Sequence, residues 1–142
     1  MNIKKSLFFL LAFIALGTTS CNKEPSYVAF LYDSYFASNG GDGKETKVDV
    51  KGSLMNGDMK NPNIAAKLIG STLYIYYFET IENCMTLISA ENGDVVFSRR
   101  MAKQYPTMVR VYLDNEAPGN YKLYITDGKK EAEGAFQLKV KS

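Results

Sequence analysis

From Thr46 to its end, the chain is a succession of short alternating apolar runs, each cut off by glycine, asparagine, aspartate or proline. Alternation with period two places successive side chains on opposite faces of a strand, so each run reads as a half-buried β-strand. Residues 46–51 carry Val48 and Val50 on one face, and residues 64–69 and 72–78 form a hairpin about Gly70-Ser71. Residues 85–90 and 95–98 flank Glu91-Asn92-Gly93-Asp94, where Asn-Gly accepts positive φ and favours a tight hairpin. Residues 107–113 follow Pro106, and Ala117-Pro118-Gly119-Asn120 turns the chain into 121–126. Asp127-Gly128-Lys129-Lys130 then returns it through 134–141. About eight strands at this turn spacing, with no convincing helix after the leader, predict an all-β antiparallel sandwich.

Period two also predicts the core face. Leu73, Ile75 and Tyr77 point inward, with Val109, Val111 and Leu113, with Tyr121, Leu123 and Ile125, and with Phe136, Leu138 and Val140. Full burial of one aliphatic side chain is worth about 1.5–3 kcal/mol, so aspartate at Ile75 or Leu123 abolishes folding. The same parity turns Tyr74, Tyr76 and Phe78 outward, and Tyr112 and Tyr124 outward on their own strands. Aromatics exposed on a sheet make a platform that can stack on sugar rings or dock a partner. Tyrosine also favours strands for cross-strand packing alone. Residues 27–36 (YVAFLYDSYF) are too apolar for a plain linker and fit strand and helical spacing in different parts. An added strand, an aromatic segment at the lipid interface and a cover over the platform all remain open.

The start of the chain reads as a lipoprotein signal. Lys4 and Lys5 form a basic region, residues 7–16 an apolar one, and small residues lead to Cys21. That apolar run is far short of the roughly 20 residues that span a bilayer as a helix. The Cys21 thiol would take a diacylglyceryl group, and two or three acyl chains hold a protein on a membrane where one would not. Thr18 stands where lipoprotein signals usually carry leucine, and ordinary signal-peptidase cleavage is the alternative. The chain thus divides into a leader (1–20), a tether with an aromatic segment (21–45) and a sandwich (46–142). Asn22 follows the cysteine, and the aspartate that retains enterobacterial lipoproteins at the inner membrane is absent, which favours the outer membrane.

Composition removes several functions. Of 17 basic residues the leader takes Lys4 and Lys5, leaving 15 against 15 acidic ones. A neutral balance argues against nucleic acid, whose phosphates need clustered positive charge. Arg99, Arg100 and Lys103 read as edge residues that block strand pairing between molecules. The chain has no histidine, so Cys84 and every serine lack an imidazole base, and zinc lacks its usual ligands. Cys84 shares a face with Thr86 and Ile88 and reads as a buried, inert thiol. Asp42 and Asp58 lie in glycine- and asparagine-rich loops without EF-hand spacing, and such clusters are commonly turn formers. Glu79 and Glu82 carry no signature of a glycosidase pair. No cofactor and no catalytic residue is expected.

Val48-Asp49-Val50-Lys51-Gly52-Ser53, Pro62 before Ile64, and Leu73-Tyr74-Ile75-Tyr76-Tyr77 form a recognisable series. It continues through Asn92-Gly93-Asp94-Val95-Val96-Phe97 and Ala117-Pro118-Gly119-Asn120-Tyr121-Lys122-Leu123 and closes on Gly134-Ala135-Phe136. From Val48 to Val140 the sequence resembles a family of small secreted Bacteroidetes proteins catalogued only as a domain of unknown function. The resemblance implies an immunoglobulin-like antiparallel β-sandwich of about seven or eight strands. It implies export and carries no catalytic residue across. Residues 27–36 have no counterpart in that pattern.

The expected role is non-catalytic binding or adhesion by a lipid-anchored envelope protein, with a glycan or an envelope protein as partner. The expected contact residues are Tyr74, Tyr76, Phe78, Tyr112 and Tyr124. A second reading is an inhibitor or accessory subunit of a secreted enzyme, acting through loops 53–62 and 103–106.

Overall fold

The computed structural model describes residues 23–37, 45–57 and 60–140. The leader, Cys21, Asp42 and Asp58 lie outside the described residues. The chain forms two compact units, Met1–Phe30 and Leu31–Ser142. Helix α1 (Lys23–Phe36) begins in the first unit and ends in the second. Among the described residues eight strands follow: β1 (Glu45–Val48), β2 (Ile64–Ile69), β3 (Thr72–Tyr77), β4 (Ile81–Ala90), β5 (Val95–Gln104), β6 (Thr107–Tyr112), β7 (Gly119–Thr126) and β8 (Glu131–Leu138).

They make two four-stranded antiparallel sheets, sheet A in the order β1-β2-β3-β6 and sheet B in the order β5-β4-β7-β8. Hairpins β2–β3, β4–β5 and β7–β8 stay within a sheet, and β3→β4, β5→β6 and β6→β7 cross between sheets. This is the Greek-key connectivity of an immunoglobulin-like sandwich. The inner faces meet as the alternation predicts. Leu73, Ile75 and Tyr77 of β3 pack with Cys84 and Ile88 of β4 and with Leu123 and Ile125 of β7, all buried. Val109 is only half-buried. Val140, expected inward, is 77 % exposed because β8 ends at Leu138 and the sheet no longer supports it.

The β4–β5 hairpin is longer than its sequence suggests. Asn83 adopts φ 55°, a left-handed backbone inside a strand. On either side of it Ile81 and Cys84, three positions apart, both turn inward, while their pairing with Gln104 and Met101 keeps one register across Asn83. Alternation breaks there, so a reading by period two stops at Met85. Lys103 and Gln104 accordingly belong to β5 rather than to a loop.

The two sides of the sandwich end differently. On one side the chain leaves β1 at Val48 and reaches β8 in the other sheet. The Lys51 N–H donates to the Glu133 carbonyl at 2.8 Å, and the Glu133 N–H donates back at 2.7 Å. The Leu54 N–H donates to the Glu131 carbonyl at 2.9 Å, and the Glu131 N–H to Ser53 Oγ at 3.1 Å. Gly52 stands at φ 140° in this crossing, where a Cβ would overlap the Glu131 carbonyl oxygen. On the other side β5 and β6 are terminal in their sheets and joined through Tyr105-Pro106.

Candidate functional site

Tyr74 and Tyr76 share the outer face of sheet A with Ala65 and Lys67 of β2 and with Met108 and Arg110 of β6. Parity is therefore as read from the sequence, but the open platform is not formed. Residues 31–36 at the end of α1 lie on this face. Leu31, Tyr35, Ala65, Tyr76 and Phe78 make a second apolar cluster, with Tyr76 1 % and Phe78 4 % exposed. Tyr32 stacks on Phe78 with ring centroids 4.0 Å apart, and Tyr35 meets Tyr76 edge-on at 5.3 Å. The Tyr32 hydroxyl donates to the Pro62 carbonyl at 2.7 Å, and Ser34 Oγ shares a hydrogen bond with the Tyr76 hydroxyl at 3.2 Å. Burial is the first cause that raises the pKa of both Tyr35 and Tyr76.

The sheet supplies the cations that the helix end lacks. The last turn of α1 has no basic residue, while its terminal carbonyls carry the negative end of the helix dipole. Lys67 Nζ, 3 % exposed, donates to the carbonyls of Ser34 and Tyr35, each at 3.1 Å. It also lies 3.5 Å from Glu45 Oε1, an ion pair at a distance where that oxygen gains no hydrogen bond. Lys47, directly across from Lys67, sits 4.9 Å from the Tyr35 ring centroid and 5.0 Å from that of Phe36. The helix end thus rests on two strand lysines, one through its backbone and one through its rings.

Beside this seat lies a groove of about 550 Å³, lined chiefly by Phe36, Lys47, Asp49, Met55, Pro62 and Ile64. It is of small-ligand size, apolar with one cation and one anion. The remaining expected contact residues separate. Tyr112 is 67 % exposed at the end of β6, opposite Thr72. Tyr124 lies half-buried on the outer face of sheet B, between Leu87 and Glu133. The five aromatics therefore do not form one surface.

The signal for the covering helix was partly present. Val28, Leu31, Tyr32 and Tyr35 follow the spacing of one helical face, and Pro25 suits a first helical turn. Lys67 gave no such signal, because its role depends on what lands upon it. Cys84 is 1 % exposed, with burial as the main cause pushing its thiol pKa up. Thr86 Oγ1 lies 3.9 Å from its sulfur and also shares a hydrogen bond with the Tyr77 hydroxyl. Among the described residues no three His, Cys, Asp or Glu side chains gather as a metal site. No described helix is long and apolar enough to cross a membrane.

No family model matches the chain, and no curated protein does. Among solved structures it is similar to a DUF3244 family protein from Bacteroides vulgatus, described as having an immunoglobulin-like β-sandwich fold. The TM-score is 0.56 at 18 % identity, over 68 % of this chain and 100 % of that one. The comparisons identify no catalytic family. The resemblance carried by residues 48–140 thus has its structural counterpart: this chain is built on the immunoglobulin-like β-sandwich found in that DUF3244 protein.

Proposed function

We propose that the chain is an exported, lipid-anchored protein whose role at the cell envelope is non-catalytic binding or adhesion. The observation that carries this reading is the seating of residues 31–36 on sheet A. That contact fixes Leu31, ten positions after Cys21, with residues 23–30 between them already in α1. Ten residues reach at most about 35 Å, so acyl chains on Cys21 hold the sandwich beside the bilayer, within range of envelope glycans and proteins. The leader's layout and Asn22 support residence at the outer membrane. Binding rather than turnover is supported by the buried Cys84 thiol and a chain without imidazole. The groove beside α1 offers a ligand Phe36, Lys47 and Asp49, and Tyr112 offers an open ring.

The test is intact mass and membrane fractionation in the native host, wild type beside Cys21→Ser. The expected result is an acyl mass increment and membrane association in the wild type, both lost in the variant. A soluble, unmodified chain overturns the anchor. It would also move the second reading ahead, a loop-mediated inhibitor or accessory subunit of a secreted enzyme. That reading draws support from Asn63, which clasps the loop after Leu54. Its Nδ2 donates to the Leu54 carbonyl at 2.9 Å, and its Oδ1 accepts from the Asn56 N–H at 3.1 Å.

A further inference from the structure

We propose that the free edge of β5 takes an acidic, extended segment of another polypeptide as an added strand. β5 is ten residues long and, among the described residues, pairs only with β4, so its outer row of backbone N–H and C=O groups meets no other described strand. Such a row is a template for strand addition. Side-chain charge decides what it accepts.

Between Val95 and Gln104 there are three cations and no acid. Arg99 and Arg100 are adjacent, so they project to opposite faces of sheet B, and an incoming strand meets a cation on either side. Lys103 follows toward the corner, and Arg110 stands on the neighbouring terminal strand β6. These four cations have no carboxylate at ion-pair distance among the described residues. Elsewhere Lys51 pairs with Asp49, Lys67 with Glu45 and Lys122 with Glu133. Arg99 Nε reaches only Gln104 Oε1 at 3.4 Å, and Arg100 Nη2 only the Met85 sulfur at 3.1 Å. The charges that keep a second copy of β5 from pairing here are the ones that select an acidic strand: repulsion and attraction act on the same edge. Positive charge alone would suit any polyanion. The unpaired backbone row is what narrows the choice to an extended polypeptide.

This inference names a partner for the binding role proposed above and does not depend on the anchor, which Cys21→Ser tests separately. The probe is a fluorescent, end-capped ten-residue peptide alternating glutamate and valine, titrated against the protein as the cell makes it. Binding is expected to weaken at least tenfold between 50 and 300 mM salt, on the order set by a few charge contacts. It is expected to fall at least tenfold in Arg100→Glu and in Lys103→Glu, both exposed sites where folding is checked by circular dichroism. Backbone N-methylation of alternate peptide residues keeps every charge and should abolish binding, while amide exchange slows along β5 with the unmethylated peptide. Equal binding of the methylated peptide overturns the proposal in favour of a plain polyanion surface. Preferential binding to vesicles containing phosphatidylglycerol, with the same charge dependence, overturns it in favour of lipid. Absence of peptide binding overturns it outright.

Discussion

The outer faces of the two sheets differ more than their sequences do. Both are lined by tyrosines that alternation turns away from the core, Tyr74 and Tyr76 on sheet A and Tyr124 on sheet B. On sheet A, the end of α1 seals the face, and Tyr76 is as buried as a core residue. On sheet B, Tyr124 stands half-buried among Leu87, Glu133 and the chain's ordinary surface. Parity says which way a side chain points. It does not say what arrives to cover it. A tyrosine on a strand is consequently the same letter for a core, a lid seat or a docking ring.

The largest effect that tests this contrast is truncation of one ring on each face. Tyr76→Ala should cost about 3–5 kcal/mol in denaturant unfolding, the range for removing a buried aromatic, and Tyr124→Ala less than about 1 kcal/mol. Equal losses would mean that the cover adds nothing to Tyr76. Next comes Lys67→Met, which keeps length and apolar contact but strips the helix end of its cation. It should cost about 2–3 kcal/mol, because two terminal carbonyls and Glu45 lose a buried charged partner. Hydrogen exchange should quicken first in residues 31–36, before the strands respond.

The smallest effect is an alkaline limb. Tyr35, Tyr76 and Tyr77 all have pKa values raised by burial. The folded state keeps these phenols protonated where the unfolded chain ionises them. Their contribution is therefore complete below the ordinary phenol value of about 10 and is lost as pH rises through the higher folded values. Unfolding curves between pH 9 and 11 should show that decline, shallower in Tyr76→Phe.

The strands, their hairpins and the core parity were legible because each rests on local chemistry. Asn92-Gly93 fixes a turn, and Leu73, Ile75 and Tyr77 fix a face. Two features were hidden for physical reasons. The far half of the β4–β5 hairpin passes through Asn83, across which the inward Ile81 and Cys84 lie three positions apart and do not read as one face. The covering helix is written in tyrosine, phenylalanine and valine, residues that favour strands in isolation, and becomes a helix on a sheet that receives it. The aromatic face was therefore found by its letters, while its cover was only one of the readings that residues 27–36 left open.

The crossing at Lys51–Leu54 has a consequence in the language of polymer chemistry. By lying along the Glu131–Glu133 part of β8 it occupies the start of that edge of sheet B, whereas no described residue crosses the edge of β5 in this way. A sheet with two reactive ends is bifunctional, and edge-to-edge addition can propagate it into a fibre. A sheet with one is monofunctional: it takes a single strand and terminates. The crossing therefore moves sheet B toward the monofunctional case, because it shortens the stretch of β8 that a second copy could extend.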